Sequence, residues 1–466
     1  RSTAGSYDNF VQSAQVSYSD RNFISRSRGF YQTATNDYAF EAPDGTERRL
    51  SNADLDEYGL MQENHFRLND HQQLGLHIWL QGADRQIPPT TLQESSQAEQ
   101  ADRIFRSMLE WRHTRGKLNW YARAAFFREN LEFVNPAFDF RSESEFDKLI
   151  GEVEGKWTTG ERTRLHFGLQ NQHIDTRSTN YEGDPSQNRT ALYASFYWSD
   201  PGRRWEAVLS ARQELVEGSF VPFVPSLGLE GVLTEKLSLK AAVSRNFRLP
   251  AFDDRFFSFG GDPTLEPEEG WTQELGLLWR ETTASWNWRL EGTAFNRNID
   301  NWIIWLPDEN FFFTPRNVQE VWSRGLEGSV AATHQRGAWK TGFELGYDYV
   351  RSTVQEARVE DDPALGKQLI YVPKHQATAL LSAAYRNWSL QYWHNYTDSV
   401  YTTDDNASSL PARHLGNWAL SWKWDAEKVD GLVFFRLRNA WDTEYQVVAT
   451  YPMPGRHYQV GVEIGL

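Results

Sequence analysis

Runs of about ten residues in which apolar and polar side chains alternate recur along most of this chain, the period of a strand with two different faces. Leu74, Leu76, Ile78 and Leu80 alternate with Gly75, His77, Trp79 and Gln81. Leu118, Trp120, Ala122, Ala124 and Phe126 share a face, as do Trp205, Ala207, Leu209 and Ala211. The same rule holds for Leu237 to Val243, Trp286 to Ala294, Trp339 to Tyr349, Ala377 to Tyr385, Trp418 to Trp424 and Val433 to Leu437. Ten tight polar breaks punctuate the runs, at residues 19–22, 69–71, 114–116, 158–161, 199–203, 234–236, 281–284, 334–337, 386–387 and 425–431. They alternate with mostly longer, irregular breaks. Short turns on one side and long loops on the other, joined by strands long enough to cross a bilayer at a tilt, predict an all-β, transmembrane antiparallel β-barrel.

Soluble propellers and sandwiches also alternate, but they rarely sort their turns so that every second one is short. The final run, Tyr458, Val460, Val462, Ile464 and Leu466, alternates to the last residue and resembles the C-terminal insertion signal of bacterial outer-membrane barrels, with Leu466 where Phe or Trp is usual. Many stripes carry Trp or Tyr near an end, where an amphipathic ring suits the membrane interface. The other face, with Arg123, Arg289, Glu291 and Glu344, is expected to line the lumen.

Counting the strands sharpens the prediction. With both ends periplasmic and an even number of strands, ten short turns call for 22. Two strands flank each turn, and the C-terminal run makes about 21. Arg1 to Asp8 is short and polar and reads as an outer loop, so the first strand is expected to lie outside this sequence or to come from another chain.

Composition fits this picture. The chain of 466 residues is 24% charged and 39% hydrophobic, values that suit a soluble protein, yet 14% is aromatic, with 20 Trp, 19 Tyr and 28 Phe. A barrel shows lipid only alternate residues of each strand, so its average looks soluble. No stretch reaches the roughly 18 consecutive apolar residues of a spanning helix. The absence of Cys removes disulfides and thiolate chemistry, and a net charge of -15 disfavours nucleic acid, which is not expected as a partner. No G-x-S-x-G, H-E-x-x-H or P-loop pattern is present, and no enzyme chemistry is expected.

The second half carries more specific segments. Ser244-Arg-Asn-Phe-Arg-Leu-Pro-Ala-Phe252 leads, after a loop, to Gly261-Asp-Pro-Thr-Leu-Glu-Pro-Glu-Glu-Gly270. Phe295-Asn-Arg-Asn-Ile-Asp-Asn301, then Asn317 and Arg324-Gly-Leu-Glu-Gly328, and finally Arg438-Asn-Ala-Trp-Asp-Thr-Glu-Tyr445 follow. Together these segments resemble the barrels of TonB-dependent outer-membrane transporters, with Asp262 for the common Asn and Ala440-Trp441 for Leu-Phe. The layout is most similar to cobalamin and siderophore receptors. The resemblance implies a Gram-negative outer membrane, contact with outer-membrane lipids, and active uptake of a scarce bulky nutrient such as a metal-siderophore chelate or cobalamin. It also implies an N-terminal plug domain and a TonB complex as partners; no plug precedes the barrel in this sequence. The alternative is a plugless platform for partner proteins or surface lipoproteins.

Ligand contacts are expected in the outer loops, because loops on a rigid scaffold carry function. Asn296 to Trp322 is read as the richest loop, and Trp302, Trp305, Phe311, Phe312 and Phe313 are its candidate contacts, against the competing reading of loops packed on one another. The preceding loop adds Asp253 and Asp254, near Asp262, Glu266, Glu268 and Glu269; Asp404 and Asp405 lie on another. Carboxylate clusters bind calcium where their spacing is right. Here it is irregular, so a solvated acidic surface is preferred, and neither a resident cofactor nor a metal is expected.

Overall fold

The computed structural model describes residues 1–307, 313–356 and 360–465. One antiparallel sheet closes on itself through the pairing of Ser2–Gly5 with both Phe10–Ser19 and His457–Gly465. Ser2 faces Gln12 on one side and Val462 on the other. Counting the two-residue strand Ser219–Phe220 with its neighbour, the described wall has 22 strands. The reading of Arg1 to Asp8 as an outer loop is therefore corrected: Ser2–Gly5 is a short first strand. Four residues without an apolar stripe carry no periodic signal, and tertiary pairing on both edges supplies the strand.

All ten predicted short turns lie between paired strands. Their hydrogen bonds are local: the Asp20 carboxylate accepts from Asn22 and Phe23, and the Asp200 carboxylate accepts from Gly202 and Trp205. Such Asx geometry turns the chain with only adjacent residues. Eleven connections occupy the other end, including the segment that contains residues 308–312. They range from the four-residue link at 136–139 to links of about twenty residues such as 35–54, and residues 249–267 hold the one α-helix of the described chain, Phe252–Phe256.

The register fixes the two faces. Leu74, Leu76, Ile78 and Leu80 stand opposite Trp111, Leu109, Ser107 and Phe105, and this stripe continues around the wall as exposed Leu149, Val153, Leu169, Leu192, Leu209, Leu275, Leu326 and Leu345. Such a band is stable only against lipid. Trp286 and Trp288 stack at 5.3 Å, Trp422 and Trp424 at 5.5 Å, and Trp339 meets Tyr385 at 4.7 Å, forming an aromatic girdle beside the short turns. Several large rings lie across a glycine in the next strand, as Trp205 does over Gly231 and Trp424 over Gly431. A Cβ at either glycine would meet the ring.

Tyr458, Val460, Val462 and Ile464 share the lipid face as expected; Leu466 lies outside the described residues. The opposite face is polar. Arg123 there reaches Glu152 at 2.9 Å and Glu110 at 3.4 Å, and Tyr193 donates to Glu152 at 2.7 Å. These are paired lumen charges, partly exposed and each a modest contributor to stability.

Candidate functional site at the barrel mouth

The expected loop from Asn296 to Trp322 is mostly strand. Trp286–Pro307 and Phe313–Arg336 form an arm of 22 and 24 residues, the longest strands of the wall. The pairing shifts between Ile299 and Trp302, where Asn301 adopts a left-handed backbone with φ 58°. Asn tolerates that conformation, and a bulge bends the arm as it leaves the wall. Consecutive apolar residues Ile303, Ile304 and Trp305 break the period-2 pattern, so sequence reads a loop. Phe311 and Phe312 lie outside the described residues; Phe313 begins the returning strand. Trp302 is half-buried at the bulge.

Residues 249–267 fold against this arm. Arg248 ends its strand on the lumen face and binds Glu268 through two nitrogens, at 2.6 and 2.8 Å. Glu268, 6% exposed, also accepts the Ile303 backbone N–H at 2.8 Å. Asp254, 7% exposed, accepts from the Ala251 N–H at 2.8 Å and from the Trp305 indole N–H at 2.9 Å. Trp305 meets Phe257 edge-on at 6.0 Å. Asn317 ties the layers together, donating to the Glu266 and Asn301 carbonyls and accepting the Glu266 N–H at 2.7 Å. The segments that looked separate in sequence thus converge in one hydrogen-bonded corner.

From that corner the loop crosses the mouth. Tyr181, in the connection at 179–185, donates to Asp253 at 2.6 Å and pairs with Phe257 through the backbone. Burial first and the Asp253 carboxylate second push the Tyr181 phenol well above its usual range, so it stays a donor. Phe252 reaches Phe146 on the lumen face of a distant strand at 6.4 Å. Phe256 packs on Phe252, and Phe259 is 69% exposed beside Phe257.

Asp253, Asp254 and Trp305 are thus brought together, but as loop-to-loop ties, the competing reading. Both carboxylate oxygens of Asp254 and one of Asp253 accept from protein donors. Sequence reasoning missed Tyr181, Phe146, Phe252, Phe256 and Phe259 as mouth residues. The run Phe252 to Phe259 is dense in Phe, a signal of which only Phe252 falls within the family-like segments.

The other side of the mouth is held differently. Tyr38 donates to the Pro452 carbonyl at 2.8 Å, Thr91 N–H to the Thr450 carbonyl at 2.7 Å, and Ala449 N–H to the Tyr371 hydroxyl at 3.3 Å. Burial pushes the Tyr38 phenol up to about 12.

A closed 22-stranded wall, lipid-facing outside, polar inside, with loops folded over one mouth, defines a large outer-membrane receptor barrel. The chain belongs to the family described as TonB dependent receptor-like, beta-barrel, whose model matches residues 2–440. It is 24% identical over 322 residues to the vitamin B12 transporter BtuB of Photobacterium profundum, an alignment covering 67% of this chain and 49% of that protein. It is 25% identical over 238 residues to the BtuB of Vibrio vulnificus, covering 50% of this chain and 35% of that protein. The chain spans about half the length of the curated relatives it matches. Among solved structures, the FrpB iron transporter of Neisseria meningitidis superposes with a TM-score of 0.78 at 13% identity, covering 100% of this chain and 80% of that one. The ferric-catecholate import receptor Fiu of E. coli gives 0.77 at 12% identity, covering 99% and 80%. These structures share the fold. The family is one of receptors and transporters of the Gram-negative outer membrane, which places the short turns in the periplasm and the mouth outside the cell.

Proposed function

We propose that this chain is the membrane barrel of a receptor that takes up a scarce bulky nutrient, a metal-siderophore chelate or a cobalamin, held first by the outer loops. A plug domain inside the lumen and a TonB complex on the periplasmic side are the partners this reading requires. The single observation that carries it is the inward fold of residues 249–267, which sets Phe252 and Phe256 over the lumen rather than over the lipid rim, with Phe259 exposed beside Phe257 on the same loop. Aromatic surface at the entrance of a polar conduit suits a large ligand with apolar faces. Trp302, Trp305, Phe311, Phe312, Phe313, Asp253 and Asp254 are the candidate ligand contacts of this reading, and Asp253, Asp254 and Trp305 also tie residues 249–267 to their neighbours. The stripe of Tyr458, Val460, Val462, Ile464 and Leu466 acts as the membrane-insertion signal.

The named relatives and solved structures carry transporter or receptor names, which favours uptake over a platform for lipoproteins. The test is uptake of labelled cyanocobalamin and of ferric siderophores by cells whose only such receptor is the full-length protein, with and without TonB. Saturable uptake of one class that disappears without TonB is expected. Failure to take up either class, or uptake indifferent to TonB, would sink the reading.

A further inference from the structure

The lipid face of the wall carries arginines near its outer rim, and most are matched by a carboxylate. Arg103 binds Asp84 at 2.7 Å, Arg128 binds Asp147 at 2.6 Å, and Arg177 binds Glu145 at 3.0 Å. Arg141 lies between Glu132 at 2.8 Å and Glu143 at 2.7 Å, and Arg245 reaches Glu269 at 2.6 Å. On that rim such pairs neutralise charge beside a low-dielectric medium.

Arg324 and Arg351 break the rule. They stand directly opposite one another on adjacent strands, sharing the lipid face with Leu326, Tyr347 and Tyr349. Like charges so placed, with Cβ atoms about 5 Å apart, destabilise a sheet. Among the described residues neither has an ion-pair partner. Arg324 gives one nitrogen to the Trp322 carbonyl and the Thr353 hydroxyl, both at 3.1 Å, and lies flat over the Trp322 ring at 3.6 Å. That packing fixes the guanidinium and leaves its other donors free. Arg351 is exposed. Of the nearby acidic groups, Glu327 and Asp348 are on the lumen face and Glu269 is bound to Arg245, while Asp300 and Glu320, higher on the wall, form no ion pair with either arginine.

Height selects the counter-charge. Arg351 lies twelve residues above Trp339 at the periplasmic turn. A tilted strand crosses the hydrocarbon in about 9–11 residues, so Arg324 and Arg351 sit where acyl chains give way to headgroups. Tyr347, hydrogen-bonded to His375 at 2.7 Å, and Tyr349, packed on the same ring at 5.2 Å, mark the interface just below. We propose that Arg324 and Arg351 form a binding site for the phosphate of an anionic outer-leaflet lipid, whose acyl chains lie along Leu326 and Leu345. A planar guanidinium pair matches phosphate oxygens, and the lipid supplies the counter-charge that the protein omits.

The test titrates the full-length protein in non-ionic detergent with a bis-phosphorylated outer-leaflet glycolipid, its dephosphorylated form, and inorganic phosphate, read by native mass spectrometry. R324Q/R351Q should bind the phosphorylated lipid about thirty-fold more weakly than wild type, since each basic group at an anionic surface contributes a factor of about five. R324K/R351K, which keeps the charge but not the planar fork, should fall between wild type and R324Q/R351Q, and R141Q should retain all of the affinity. Folding of each variant is checked by heat-modifiable gel mobility. Equal binding by wild type and R324Q/R351Q, equal wild-type affinity for the dephosphorylated lipid, or an equal loss in R141Q overturns the site. Displacement of the lipid by inorganic phosphate at similar concentration assigns the arginines to a free anion and overturns the lipid claim.

Discussion

The two sides of the mouth are secured by different chemistry. Around residues 249–267 the ties are buried carboxylates, Asp254 and Glu268, each accepting two or more donors from separate segments. Around residues 439–456 they are backbone carbonyls and tyrosine hydroxyls, as at Tyr38 and Pro452. A buried ionised group that loses a partner costs far more than a neutral one, so the first side is held tightly and fails abruptly. The second is a sum of small contributions. That difference suits a loop that must hold an inward pose until something displaces it.

The largest effect is expected at Asp254. Asp254→Ala strands the Ala251 and Trp305 donors, should ease local opening of residues 249–267 by about 3 kcal/mol, and should speed amide exchange there about a hundredfold. Exchange in residues 439–456 should not change; equal acceleration on both sides would erase the comparison. Glu268→Gln weakens the Arg248 pair and is expected to cost the same corner about 2 kcal/mol by the same readout.

Smaller effects sharpen the contrast. Tyr181→Phe removes a hydrogen bond to a carboxylate and should loosen the contact between residues 179–185 and 249–267 by about 1.5 kcal/mol. Tyr38→Phe should cost the other side about 1 kcal/mol. Because the folded Tyr38 phenol titrates near 12 against 10.0 for a free tyrosine, its contribution is complete below pH 10 and is lost as pH rises through about 12. Exchange in residues 35–54 between pH 9 and 12 should therefore rise in wild type more than in the Phe variant. A flat profile in both would remove Tyr38 as the tie.

The wall was legible in sequence and the mouth was not. Turns such as Asp20 to Asn22 and Asp200 to Arg203 use carboxylates that cap their own neighbours, and period-2 stripes name their own lipid face, so short-range information suffices. Ser2–Gly5 escaped notice because four residues without an apolar stripe carry no period, and one of its two partner strands lies more than 450 residues away. The arm from Asn296 to Trp322 escaped because its bulge at Asn301 and its run of Ile303, Ile304 and Trp305 mask the alternation. Tyr181 and Asp253 are 72 residues apart, and no local pattern announces their bond. The aspartates were found as candidates by their clustering, but only their partners show that they position the loop.

The central claim is that residues 249–267 form the ligand-facing cover of the conduit. Amide exchange of the full-length protein, with and without a saturating amount of the cobalamin or ferric siderophore that it is found to take up, tests this most directly. Slower exchange in residues 249–267 and 179–185 on ligand addition, with residues 439–456 changing less, is the predicted result. Protection confined to other loops, with 249–267 untouched by a ligand that is transported, would contradict it.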